Sequence, residues 1–114
     1  MKSRLIKPWG YEEILECNEN YTLKRIFMKT DHCCSLQFHI EKHETIYVLG
    51  GELKIAFGVY HDQLDDIYLH ENGYFVIWNK LIHRMYGITD CLYLEASTSQ
   101  LDDVVRLEDN YGRV

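Results

Sequence analysis

The stretch "LQFHIEKHETIYVLGGEL", residues 36–53, crowds Gln37, His39, Glu41, His43 and Glu44 against the start of an apolar run. Successive side chains of a strand point to opposite faces, so Gln37 and His39 share one face. Glu44 stands at an odd spacing from His39 and on a continuous strand would face the other way. A turn over residues 40–43 is needed to bring it back, and the polar "EKH" (41–43) supplies turn material. Gln37, His39 and Glu44 then line one interior from two adjacent strands. The plainer reading is a solvated turn, because a histidine at a strand end is more often a surface residue than a ligand. His83, in "IHRM" (82–85) after the apolar "YFVIW", offers a fourth group. Two imidazoles and two oxygens suit a borderline divalent ion, zinc first, with manganese, iron or nickel as alternatives.

The flanking sequence has the same alternating character. "TLKRIFMK" (22–29), "CSLQFHI" (34–40), "TIYVLG" (45–50), "ELKIAFGVY" (52–60), "DIYLH" (66–70), "YFVIW" (74–78), "HRMYG" (83–87) and "CLYLEAS" (91–97) read as strands. They are rich in Ile, Val, Tyr, Phe and Thr, with Gly, Asn or Asp at most junctions. Gly50-Gly51 predicts a tight hairpin, since glycine takes positive φ without a Cβ clash. The one helical contender is "STSQLDDVVRLEDNYG" (97–112), where Ser99 and Asp102 could cap a turn; a short strand over "DVVRLE" (103–108) is the preferred reading. Short strands at even spacing predict an all-β sandwich or barrel. In "TLKRIFMK", Leu23 and Phe27 lie on one face and Ile26 and Met28 on the other. A strand apolar on both faces needs cover on both. A second copy of the chain, giving a homodimer, is expected to supply one cover; the N-terminal "KPWGYEEIL" (7–15) is the intrachain alternative.

At 114 residues the chain fits one domain, 1–114, and at 46% hydrophobic it can build a core. Its apolar runs are too short to span a bilayer, and "MKSRLIKPWG" lacks the apolar segment of a signal peptide, so no membrane partner is expected and the cytoplasm is the expected address. A net charge of −6 argues against nucleic acid as the partner. An anionic small molecule needs a local cluster of cations. Cys17, Cys33, Cys34 and Cys91 form no metal or disulfide spacing and are expected to be free thiols.

From "KPWGYEE" (7–13) through "LKRIFMKTDHCCSLQFHIEKHETIYVLGGEL" (23–53) and "IHRM" (82–85) to "LDDVVRLEDNYGR" (101–113), the chain resembles the cupin superfamily. It more closely resembles the type II mannose-6-phosphate isomerase-like cupins, whose cupin domain also forms the C-terminal part of bacterial mannose-1-phosphate guanylyltransferases. The resemblance runs nearly end to end and implies a single-domain cupin, a jelly-roll β-barrel. It places metal ligands on Gln37, His39, Glu44 and His83, the residues that parity and motif position select together. His43 then faces the other side, and His32, His61 and His70 match no motif. The second motif departs from the family's pattern: "IWNKLIH" (77–83) carries Trp78 and Lys80 where proline and glycine are usual. No nucleotidyltransferase domain lies within these residues, so guanylyl transfer is not expected of them.

The activity that the resemblance implies is aldose–ketose isomerisation of a sugar phosphate, with mannose 6-phosphate as the family default. Such a reaction moves a proton α to a carbonyl, which a bound metal polarises. Glu95 in "YLEAS", a glutamate between apolar neighbours, is the candidate base. Lys42 stands where the family has a basic residue beside the metal motif and is the second candidate catalytic group. Arg106 and Arg84 are candidates for the phosphate, and Lys80 and Trp78 for shaping the pocket. Two other readings are a sugar- or nucleotide-sugar-binding module without catalysis, and a metal-dependent dioxygenase, which needs a redox-active iron.

Overall fold

Period-two alternation builds an all-β chain in the computed structural model, which describes residues 3–114. The strands are β1 (Ser3–Lys7), β2 (Gly10–Cys17), β3 (Thr22–Met28), β4 (Leu36–Phe38), β5 (Glu44–Gly50), β6 (Leu53–Gly58), β7 (Asp65–Leu69), β8 (Tyr74–Ile77), β9 (Ile82–Gly87), β10 (Cys91–Ser97) and β11 (Val105–Glu108). They form two antiparallel sheets, a six-stranded one ordered β1-β2-β3-β10-β5-β8 and a five-stranded one ordered β11-β4-β9-β6-β7. The all-β jelly-roll architecture expected from the sequence is present. Within the 103–108 segment a strand forms over Val105–Glu108, and no helix among the described residues is long and apolar enough to cross a membrane. The tight hairpin expected at Gly50-Gly51 does not form: β5 belongs to the six-stranded sheet and β6 to the five-stranded one, so the chain crosses between sheets there, with Gly51 at φ +84° and so close to the Asp90 carbonyl oxygen that a Cβ would meet it at 2.1 Å. All four cysteines are free, with Cys33, Cys34 and Cys91 buried.

The interior is divided. On the inward faces of the six-stranded sheet, Ile26, Tyr93 and Val48 stand side by side across β3, β10 and β5. One row along, the inward residues are Lys24, Glu95 and Ile46; the next row is Thr22, Ser97 and Glu44. Apolar packing with Trp9, Met28, Leu53, Ile55, Ile77 and Met85 therefore fills one end, and buried charge fills the other. A fully buried Ile or Leu contributes about 1.5–3 kcal/mol. A buried charge costs energy unless it is paired. The apolar end supports the fold, and the charged end calls for a functional explanation.

Two further features differ from expectation. Glu44 does not lie on a strand adjacent to the one carrying Gln37 and His39. The turn over residues 40–43 carries the chain from the five-stranded sheet at β4 to the six-stranded sheet at β5, so Glu44 meets His39 from across the sandwich. The N-terminal segment, unassigned by periodicity because Pro8-Trp9-Gly10 interrupts its alternation, forms the β1–β2 hairpin. That hairpin pairs with the edge of β3 and does not cover its outer face.

Between β8 and β9 the chain turns through Trp78 to Leu81. Lys80, at the family's glycine position, adopts φ +70°. Its N–H donates to the His39 carbonyl at 2.6 Å, and Asn79 Nδ2 donates to the Ile40 carbonyl at 3.2 Å. The turn that a glycine would make easily is thus kept by a lysine in the left-handed region, a conformation costing about 1–2 kcal/mol for an L-residue. Lys80→Gly should raise stability by roughly 0.5–1 kcal/mol after the entropy of glycine is counted. Denaturant unfolding of the two proteins checks this; a destabilised glycine variant would contradict it.

Candidate metal centre

Three buried side chains from three strand ends converge at the charged end: His39 just after β4, Glu44 at the start of β5 and His83 in β9. Their exposures are 3%, 3% and 0%. His39 Nε2 and His83 Nε2 each lie 3.2 Å from the same oxygen, Glu44 Oε1, and the rings are tilted at 5.1 Å between centroids. The other nitrogen of each ring fixes its tautomer. His39 Nδ1 faces the Asp103 carbonyl at 2.5 Å and His83 Nδ1 faces the Leu81 carbonyl at 2.9 Å. A carbonyl can only accept, so each Nδ1 carries a proton and each Nε2 is left to face Glu44, offering a lone pair to a cation or, in the imidazolium form, an N–H to the carboxylate.

Two lone pairs aimed at one carboxylate oxygen are mutually repulsive unless a positive charge lies among them. His83 Nε2 and Glu44 Oε2 are buried with no hydrogen-bond partner. Burial alone would raise the Glu44 carboxyl; the facing His39 and His83 rings and Lys42 outweigh it and hold it well below the usual carboxylate range. This donor set, two imidazole nitrogens and a carboxylate, fits a divalent ion. Gln37 stands directly opposite His83 in the β4–β9 register and lines the adjoining cavity, its amide oxygen accepting the Ser35 hydroxyl at 3.3 Å.

The cavity beside this cluster has a volume of about 380 Å³ and is walled by β1, β2, β3, β4, β5, β10 and the segment leading into β11. Its floor is a chain of alternating charges. Lys42 Nζ lies 3.7 Å from Glu44 Oε2 and 3.8 Å from Glu95 Oε2. Lys24 Nζ lies 4.0 Å from Glu95 Oε2 and 3.0 Å from Glu12 Oε1, and Lys7 follows at 4.0 Å from Glu12. Burial, with the nearby Glu44 charge, pushes the Glu95 carboxyl up to about 8, against partial relief from Lys42 and Lys24. Two carboxyls on one cavity are thereby driven apart, Glu44 ionised and Glu95 holding its proton near neutrality.

Of the residues singled out from sequence, Gln37, His39, Lys42, Glu44, Glu95 and Arg106 line this cavity, and His83 joins His39 and Glu44 in the buried cluster beside it. Arg106 pairs in register with Gln37, and its Nε is buried with no hydrogen-bond partner. Three others lie elsewhere. Arg84 alternates with His83 and turns to the opposite face of β9, where Nε donates to the Cys34 carbonyl and Nη2 to the Glu108 carbonyl. Trp78, 51% exposed, and Lys80, also exposed, are on the outside of the β8–β9 turn and do not line the cavity. His43 is exposed as expected. Lys24 and Glu12 were not singled out. The signal for Lys24 was present, a charge at the core-facing parity of "TLKRIFM" between Thr22 and Ile26.

Residues 1–109 match the family described as "Mannose-6-phosphate isomerase C-terminal". The chain is 29% identical over 126 residues to the mannose-1-phosphate guanylyltransferase ManC of Salmonella typhimurium, covering 100% of this chain and 24% of that protein. It thus spans about a quarter of the length of the curated relatives it matches. Among solved structures, the capsular polysaccharide assembling protein CapF from Staphylococcus aureus superposes with TM-score 0.80 at 17% identity, over 95% of this chain and 34% of that one. Oxalate decarboxylase from Bacillus subtilis superposes with TM-score 0.82 at 13% identity, over 93% and 30%. These likenesses establish the cupin fold.

Cobalt(II) or zinc titrated into metal-free protein should bind at one equivalent. His39→Ala and His83→Ala should each weaken that binding by more than the roughly 10–100-fold lost with an outer-shell partner. Calorimetry measures it, and stoichiometric metal retained by the double variant would refute the site.

Proposed function

The chain belongs to the mannose-6-phosphate isomerase C-terminal family, and on that premise we propose that its cavity isomerises a sugar phosphate between aldose and ketose forms, with mannose 6-phosphate the first substrate to test. The observation that carries this reading is the placement of Glu95 and Lys42 on the floor of the same cavity as the His39–Glu44–His83 cluster. A divalent ion held by those three residues and Gln37 supplies Lewis acidity toward a carbonyl oxygen. Glu95 takes the proton from the carbon α to that carbonyl and returns it to the neighbouring carbon, while the hydroxyl proton passes from one oxygen to the other. Its carboxyl, near 8, lies close enough to neutrality to serve as both base and acid. Lys42, held between Glu44 and Glu95, keeps the two carboxyls from repelling each other and orients Glu95. Arg106, with a buried and unpartnered Nε, and Lys7 on the opposite wall supply cationic donors for the phosphate. The free thiols suit a reducing compartment, the cytoplasm.

Conversion of mannose 6-phosphate to fructose 6-phosphate by metal-loaded protein tests the reading. Glu95→Gln should lower kcat by about 10²–10⁴-fold with little change in substrate affinity. An unaltered kcat in Glu95→Gln would remove Glu95 from the mechanism. Tight sugar-phosphate binding without turnover would make the chain a binding module, and oxygen consumption with iron would make it an oxygenase.

The partner we propose is a second copy of this chain, seated on the outer face of the six-stranded sheet. Across that face Ile6, Tyr11, Phe27 and Leu92 form one row in register, and Leu94, Tyr47 and Tyr74 form part of the next. Tyr74, Val76 and Trp78 extend along the β8 edge and are exposed. Strands about 4.8 Å apart and about 20 Å long give this sheet roughly 550 Å² in projection. With side-chain relief that approaches the ~800 Å² each partner contributes to a standard interface. The β1–β2 hairpin extends the sheet sideways and leaves this face uncovered. Sedimentation equilibrium should give twice the 13.6 kDa chain mass, and Phe27→Asp with Leu94→Asp should return it to 13.6 kDa. A single-chain mass for the unaltered protein would overturn the dimer.

A further inference from the structure

One residue outside the ligand set touches the site in two independent ways. Asp103 lies in the segment between β10 and β11, and its neighbours Asp102 and Val104 line the cavity. Its carboxylate accepts three consecutive main-chain N–H groups: Ile40 at 2.9 Å on Oδ1, and Glu41 at 2.7 Å and Lys42 at 2.9 Å on Oδ2. Its main-chain carbonyl accepts the Nδ1 proton of His39. Successive N–H groups converging on one carboxylate make a concave anion seat.

The turn so gripped crosses from the five-stranded sheet at β4 to the six-stranded sheet at β5. It begins after His39 and delivers Lys42 and then Glu44 to the cavity. Close to Asp103, the segment is fixed by Thr98, whose Oγ1 accepts the His43 N–H and whose N–H donates to the His43 carbonyl. It is fixed again where Val105 pairs with Phe38. Between those points the carboxylate supplies the three direct bonds from this segment to the crossing turn, and without them nothing in this set holds the carbonyl against the imidazole. We propose that Asp103 is the positioning residue of the centre, its carbonyl selecting the tautomer of His39 and its carboxylate locking the crossing turn that carries Lys42 and Glu44. The proposal rests on His39 as a ligand and does not depend on which sugar, if any, is turned over.

His83 provides an internal reference, because its Nδ1 is bonded to Leu81 and not to this segment. Long-range nitrogen–proton correlation spectra of the metal-free protein report each imidazole's tautomer. Under conditions where both rings are neutral, the wild type should show His39 and His83 each protonated on Nδ1. In Asp103→Ala, His39 should become a mixture of tautomers while His83 keeps its pattern. Cobalt(II) affinity should fall about 10–100-fold, the range for loss of an outer partner. Asp103→Asn keeps the shape but sets an amide NH₂ against one of the three N–H donors, and should fall between. If Asp103→Ala fails to fold by circular dichroism, the near-isosteric Asp103→Asn carries the test. A folded variant with the wild-type His39 tautomer and cobalt affinity within about twofold would overturn the proposal, reducing Asp103 to a loop cap. If the wild type binds no cobalt, the ligand reading fails, and the tautomer of His39 alone decides the role of Asp103.

Discussion

Everything at the charged end of this sandwich depends on one oxygen, Glu44 Oε1, approached at 3.2 Å by imidazole nitrogens whose protons face the other way. Main-chain carbonyls at Asp103 and Leu81 have already claimed the two ring protons. Neither histidine can relieve the repulsion by rotating its tautomer without leaving a carbonyl unsatisfied in a buried site, a loss of about 1–3 kcal/mol. The backbone therefore enforces an electron-rich centre that only positive charge resolves. That constraint explains why Lys42 is buried next to Glu44 and why Glu95, one step further out, keeps its proton.

Placing so much charge inside a small domain works against stability. Replacing buried ion pairs by well-packed apolar residues is often neutral or stabilising, so the ladder from Lys7 to Glu44 is difficult to understand as a device for folding. The apolar end carries that burden, with Ile26, Ile46, Val48, Ile55 and Tyr93 all nearly inaccessible. The same inward face of β10 serves both ends, Cys91 and Tyr93 packing the core and Glu95 facing the cavity. A strand that changes chemistry halfway along one face is a compact way to hold a reactive group rigidly beside a packed core.

Much of this was legible from residue spacing. Period-two alternation identified most strands, and parity put Gln37 and His39 on one inward face. What parity cannot supply is the sheet to which the next strand goes. A turn over residues 40–43 is compatible with a hairpin or a crossover, and only the long-range pairing of β4 with β9 and β11 and of β5 with β8 and β10 distinguishes them. Arg84 illustrates the opposite case. Its parity next to His83 already pointed it outward, and a motif-based expectation placed it with the substrate although alternation did not. Lys80 and Trp78 were notable as departures from a family pattern, yet the turn geometry survives the replacement with one left-handed lysine. The β1–β2 hairpin was obscured because Pro8 and Gly10 break the alternation where the two strands meet.

The ligands come from both sheets, His39 and His83 from the five-stranded one and Glu44 from the six-stranded one. Ladder hydrogen bonds run within each sheet, so the two layers are otherwise joined at this end by loops and by contacts between side chains. A cation seated among the three residues would act as a rivet through the sandwich. Holding the ion and keeping the layers closed would then be the same free energy seen from two sides, about 2.7 kcal/mol when the free ion stands at a hundred times its dissociation constant. Scarcity of metal would therefore loosen the sandwich at the very mouth through which an ion enters, so that the depleted protein is also the one most open to being refilled.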